Sequence, residues 1–381
     1  MSRGLAALWA LALGGCGSRA GLEDPADGGM DAPAALDLGS ERVPVDRSLV
    51  RPDVVLRSCD GGPLPTPRPG ARESVPGRFG LSAVFDRGAR RIYAVGGSAS
   101  GGTRAAAPFA VDVDTGRVTP LRLEGVAMLP IGAAAVWDAP RSRAVLVGGR
   151  YPDGGFFTAG RAVLEVRVAG DIARATALPD YPVGGVSGHA LAVDPEREEL
   201  VVTGGGNDSA PATSAYRATW ALSLRPGGRW ARRAQEADGP AAGEGRAMGW
   251  DPELRRLVLA GGYLDRARDR RAWVLEGSRW RQVPGTLDAI PGGVTGLQWD
   301  PRSCGFVMPV GNCSAELWLL RVRDLPSTAL LGRFTREAGA GPNGPAVFLD
   351  EATDRLLFLG GESCQTSGFV YAHFEAISLA R

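Results

Sequence analysis

The stretch Asp86-Arg-Gly-Ala-Arg-Arg-Ile-Tyr-Ala-Val-Gly-Gly97 decides the fold, because its plan recurs along the chain. An acidic residue closes a short apolar run, and then come a polar turn, a second apolar run and a glycine pair. Asp86 leads to Gly96-Gly97, Asp138 to Gly148-Gly149, Asp194 to Gly204-Gly205, Asp251 to Gly261-Gly262 and Asp350 to Gly360-Gly361, always ten residues on. A sixth copy keeps the spacing but degenerates, with Asp300 leading to Val310-Gly311. A glycine also stands six residues before five of these Asp residues, at Gly80, Gly132, Gly188, Gly245 and Gly344. The copies recur at about 50 residues, a period that signals a propeller, solenoid or array.

Each unit reads as β. Leu81–Phe85 and Ile92–Val95 are short apolar runs joined by a polar turn, as in a hairpin, and Gly, Pro or Asp ends every run before helical length. A variable loop comes after each glycine pair, and then a third run: Phe109–Val113, Ala162–Val166, Trp220–Leu224, Ala272–Leu275, Leu317–Leu320. A fourth comes after a short turn, as in Arg229–Arg232 and Arg279–Val283. Four strands per unit make one propeller blade. The fold expected is all-β, a six-bladed propeller.

The residues resemble the Kelch repeat over roughly 76–381: Gly188-His189 at a blade start, the glycine pairs, and Trp230 and Trp280 in fourth strands, though the usual third-strand Tyr is mostly missing. What the resemblance implies is a scaffold, since function resides in sites grafted on folds.

The chain carries a formal charge of +1 with both signs dispersed, which gives no basic patch for nucleic acid. It contains no lysine, which removes Schiff-base chemistry and a Walker A phosphate loop. Residues 1–16 read as a lipoprotein signal peptide: Arg3, an apolar Leu5–Leu13 too short to span a bilayer, then Leu13-Gly-Gly-Cys16, which resembles the bacterial lipobox. Cys16 is the expected lipidation site and the lipid the only membrane anchor, which places the protein in the cell envelope, as an outer-membrane lipoprotein. Residues 17–50, rich in Asp, Gly, Ala and Pro, read as a disordered tether, and 51–381 as the propeller.

The last unit is short of a fourth strand after its third, expected around Phe369–Phe374. The N-terminal run Asp53–Arg57, centred on Val54–Leu56, is expected to complete it, with 60–75 as the crossing into the first blade. Cys59, Cys304, Cys313 and Cys364 allow two bridges in an oxidising compartment; Cys59–Cys364 is the expected pair, and Cys313 competes with it.

Candidate chemistry is sparse. His189 and His373 stand in different units, and His189 fits a structural role in a first strand. No cluster suits copper, no sialidase box occurs, and neither cofactor nor metal is expected. Glu198-Glu199 lies in a turn and reads as solvated. The loops after the glycine pairs emerge on one face and form the expected binding face: Arg150, Tyr151, Phe156 and Phe157 in the second unit, Asn207 and Asp208 in the third, Tyr263, Asp265 and Arg266 in the fourth. Arginine beside aromatics suits a protein or glycan partner. The function expected is a non-enzymatic binding module; the alternatives are an envelope carbohydrate-active enzyme and a structural subunit of an outer-membrane assembly.

Overall fold

The computed structural model describes residues 64–380 apart from 69, 71, 100–104, 154–155, 207–213, 235–238, 242, 265–266, 286, 288–289, 291–293, 295, 311–313, 324–326, 336–344 and 362–371. The signal peptide, Cys16, the tether and Val54–Leu56 lie outside these residues, as do Cys59, Cys313 and Cys364.

The repeated Asp builds the inner hairpin of every blade. In all six copies it pairs across the hairpin with the residue five positions on, as Asp86 does with Arg91 and Asp350 with Arg355, leaving a four-residue loop. Its carboxylate caps the loop: Asp86 Oδ1 accepts from the Gly88 and Ala89 amides at 3.0 and 3.1 Å, and Asp251 Oδ1 from Glu253 and Leu254, both at 2.9 Å. The last loop residue must turn left-handed, and Arg90, Ser142, Glu198, Arg255, Cys304 and Asp354 do so at φ 46–55°. None is glycine.

Two short rim strands, β1 (Thr66–Arg68) and β2 (Arg72–Ser74), precede the blades. Blade one is β3 (Ala83–Asp86), β4 (Arg91–Ala94), β5 (Phe109–Asp112) and β6 (Val118–Pro120). A further strand, β7 (Arg122–Glu124), joins blade two in parallel, beside β13 (Ile172–Leu178). The rest of blade two is β8 (Ala134–Asp138), β9 (Arg143–Val147) and β12 (Val163–Ala169), and a separate hairpin, β10 (Arg150–Asp153) with β11 (Phe156–Ala159), rises from it. Blade three is β14 (Ser187–Asp194), β15 (Glu199–Gly206), β16 (Thr219–Ser223) and β17 (Trp230–Ala234). Blade four is β18 (Ala247–Asp251), β19 (Arg256–Ala260), β22 (Ala272–Glu276) and β23 (Arg279–Val283), with a second hairpin, β20 (Tyr263–Leu264) and β21 (Ala267–Arg268). Blade five, the degenerate copy, is β24 (Gln298–Asp300), β25 (Gly305–Val310), β26 (Ser314–Arg321) and β27 (Ser327–Thr335). Blade six is β28 (Ala346–Asp350), β29 (Arg355–Leu359) and β30 (His373–Ala380).

The first strands touch in sequence, β3 to β8, β14, β18, β24 and β28, and β28 touches β3 again. The ring has six blades and is closed.

Its apolar side chains bury themselves between blades. One buried cluster lies at each of the six seams, such as Val84, Leu146 and Val166 between blades one and two, or Phe85, Val111 and Leu357 between blades six and one. The glycines sit where backbone meets backbone across these seams. Gly149 donates to Val186 O at 2.9 Å and Gly205 to Gly243 O at 2.8 Å, each the second glycine of a pair bonding to the next blade. A Cβ on Gly148 would lie 2.2 Å from Val186 O, so only glycine fits. The glycines ahead of the Asp also link across seams, Gly132 N to Gly80 O at 2.7 Å and Gly245 N to Gly188 O at 2.8 Å. The fourth-strand tryptophans reach back one blade: Trp230 Nε1 donates to Pro179 O at 2.8 Å and Trp280 Nε1 to Thr219 Oγ1 at 2.7 Å.

Closure by N-terminal chain holds, but the closing segment differs from the one expected. Thr66–Arg68 pairs with Ala380–Ser378, and Arg72–Ser74 with Glu375–His373, so the chain expected to make the crossing forms the outer edge of blade six. The third strand accordingly runs over His373–Ala380. Between β1 and β2, Gly70 passes so close to β30 that a Cβ would lie 1.7 Å from Ala376 O. Pro67 is tolerated because an outermost strand can spare one amide.

Candidate loop-face site

The residue after each glycine pair sets the site. In four blades it bridges the residue just ahead of a blade's leading glycine: Ser98 with Phe79, Arg150 with Ile131, Gly206 with Ser187, and Tyr263 with Glu244. Arg150 and Ile131 exchange amide bonds at 2.7 and 2.9 Å, and Tyr263 and Glu244 at 2.8 and 3.1 Å. Arg150 and Tyr263 therefore occupy equivalent places at the loop end of blades two and four. Between them blade three presents Gly206, and the room a side chain would need is taken by Glu244, whose Oε1 is 2.8 Å from the position of an added Cβ. The exposed Glu244 carboxylate thus lies over the start of the third loop. Nothing in the sequence marks Glu244 except its place one residue before Gly245.

The expected residues do not all converge. Tyr151 lies against the backbone of Gly160, away from the bridge that Arg150 makes; burial, then the negative charge of Asp180, pushes its phenol up from the ordinary value. Phe156 and Phe157 belong to β11, opposite Asp153 and Pro152. The second loop is thus a hairpin rather than open chain, and the fourth carries one too. Asn207, Asp208, Asp265 and Arg266 lie outside the described residues.

Under the fourth hairpin is a buried ion pair. Arg246 Nη2 meets Asp269 Oδ2 at 2.6 Å, and Arg271 Nε meets Asp269 Oδ1 at the same distance. Desolvation pulls the Arg246 guanidinium down, and Asp269 opposes that. A narrow crevice with room for about one water adjoins this pair, with Gly261, Leu287, Ile290 and Val294 among its walls and Arg268 and Arg270 at its edge.

His189 takes the same place in blade three as Arg246 in blade four, directly after the leading glycine. It is buried, neither ring nitrogen has a partner, and burial pulls its pKa down to about 4. It is a neutral core residue at neutral pH. Glu198 and Glu199 are ion-paired rather than merely solvated, with Arg141 and Arg225, and with Arg233. Among the described residues no three His, Cys, Asp or Glu side chains gather as metal ligands, and no helix is long and apolar enough to cross a membrane.

No family profile and no curated protein matches the chain. Among solved structures it is similar to one titled "Structure of YjhT", at 14% identity and a TM-score of 0.55, over 80% of this chain and 96% of that one. At that identity the likeness speaks for the fold alone, and it agrees with the propeller described above.

Proposed function

We propose that this chain is a lipid-anchored envelope propeller of Kelch type that binds a protein or glycan, without catalysis, at the loop end of its blades. The observation that carries the reading is the equivalence of Arg150 and Tyr263, set by the same backbone bridge in blades two and four, with Glu244 lying between them over Gly206. A guanidinium, a phenol and a carboxylate on a rigid ring supply the hydrogen bonds and ring face that polar ligands need. Capture from an envelope extract with residues 51–381 is the first experiment, and a fixed partner or glycan retained by the loop end supports the reading.

A second reading, an enzyme acting on carbohydrate, draws on the exposed carboxylate of Glu244, a residue bridged to Tyr263 at the loop end. Turnover of any member of a glycan panel would favour it, and its loss in Glu244→Gln with the fold intact would place the chemistry there. The anchor has its own test. With Cys16→Ser the protein is expected to leave the membrane fraction or to keep its leader; a variant still membrane-bound at the mature mass would show that no lipid on Cys16 holds it.

A further inference from the structure

The described residues hold one cysteine, Cys304, and it is disulfide-bonded. It is the left-handed residue at the end of the inner hairpin loop of blade five, so its partner must reach the turn end of the ring. Bridged Cα atoms lie within about 7 Å of each other. Strand β25 runs from Gly305 to Val310 in unbroken register with β26, which puts Val310 about 20 Å from Cys304. Cys313 is three residues further on and can return by only about 10 Å. Cys364 is no better placed. The turns of blades five and six lie level, joined by Arg302 and Asp354 at 2.8 Å, and Gly361 is about 20 Å up blade six from Arg355. Three residues past Gly361, Cys364 can return by about 10 Å and no more.

Chain from the N-terminal side arrives where it is needed. β1 runs antiparallel to β30 with Thr66 opposite Ala380, so the residues before Thr66 enter at the turn end of blade six. β1 also lies against blade five: the Pro67 ring is 2.7 Å from where a Cβ on Gly332 would stand. Leu64 packs on the cluster between blades five and six that holds Leu319. Leu319 Cδ1 in turn lies 3.0 Å from the place of a Cβ on Gly305, the neighbour of Cys304. Cys59 is five residues before Leu64, a reach of about 17 Å. We propose that Cys59 is the partner of Cys304, and that the bridge fastens the closing strand β1 to the inner hairpin of blade five. It takes the place of the Cys59–Cys364 pair expected from the sequence. Each thiol gives up its hydrogen, and the two electrons and two protons pass to a disulfide oxidant, which leaves as two thiols. The bridge closes most of the ring into one covalent loop, which restricts the unfolded chain. It does not depend on the function proposed for the loop face.

The test is peptide mapping of the whole folded chain under non-reducing conditions, after oxidation with glutathione disulfide and alkylation of free thiols. Cleavage at arginine and at Met308 separates Cys304 from Cys313 and from the other cysteines. The expected product is Cys59 joined to Cys304. Cys304 joined to Cys16, Cys313 or Cys364, or alkylated as a free thiol, would overturn the assignment. Thermal unfolding gives a second measure. Cys59→Ala, Cys304→Ala and the double variant should all melt about 3–8 °C below the native protein, by one common amount. Losses that add in the double variant would show two independent contacts and overturn the bridge.

Discussion

At the scale of single residues the backbone decides more than the side chains. The inner hairpins need a left-handed residue four positions after the Asp, and this chain fills that place with Arg, Ser, Glu, Arg, Cys and Asp. Such a conformation costs about 1–2 kcal/mol for a residue bearing a Cβ, part of which glycine would give back as chain entropy. Ser142, exposed and bonded through its amide to Ala139 O, is the clean position. Ser142→Gly should be neutral to stabilising by up to about 1 kcal/mol in chemical unfolding. Gly148→Ala, in the same blade, should cost about 2 kcal/mol or more, because φ is +61° and the new Cβ meets Val186 O. Equal effects at the two positions would contradict the assignment of strain. The ten-residue offset and the glycine pairs are legible in the sequence because they fix backbone turns. The left-handed position is not, because its residues share no side-chain property.

At the scale of elements, legibility goes with burial. Strands with one or both faces in a seam, such as Arg143–Val147 or Arg355–Leu359, carry apolar runs that sequence patterning detects. The closing strands do not: Thr66–Arg68 and Arg72–Ser74 are almost wholly exposed on the rim and show no alternation. The Val-Val-Leu run at 54–56 is the stronger β signal in the sequence and points to the wrong segment. The hairpins β10–β11 and β20–β21 are hidden in the same way, inside stretches whose composition suits loops. The closure can be challenged at Gly70. Gly70→Val should push β1 and β2 off β30 and speed hydrogen exchange across His373–Ala380, while leaving β14–β17 protected. Unaltered exchange in β30 would mean that this contact does not hold the ring.

At the scale of the molecule, arginine–carboxylate pairs join neighbouring blades on the side of the inner hairpin turns: Arg141–Glu198, Arg255–Glu196, Arg302–Asp354 at 2.8 Å, Arg323–Glu253, and Arg90–Asp350 at 2.9 Å. Exposed pairs contribute little each, but Asp350 is buried and central to the last seam. Burial alone would raise its pKa; hydrogen bonds from Arg90 and Thr353 outweigh that and bring it to about 2. A carboxyl lowered on folding adds stability above its unfolded pKa, and that stability is lost as pH falls from about 4 toward 2. His189 adds a loss at higher pH. Its imidazole is held neutral in the fold, so acid favours the unfolded chain from 6.5 down to about 4. Asp251, raised by burial, works against the upper loss alone, because a carboxyl raised on folding takes up its proton above its unfolded pKa. Acid unfolding should therefore show two limbs, with the upper one absent in His189→Leu and the lower one reduced in Arg90→Ala. A single limb unchanged by either variant would contradict this assignment.

The ring brings the positions after its glycine pairs to one end, where Arg150 and Tyr263 are the two proposed anchors. The direct measurement is saturation binding of residues 51–381 to the partner or glycan captured from the envelope, for the native sequence and for Arg150→Ala with Tyr263→Ala. If each anchor contributes more than about 1 kcal/mol, the pair should weaken binding more than about tenfold, with circular dichroism unchanged. Equal affinity in the two proteins, with the fold intact, would contradict binding at this face.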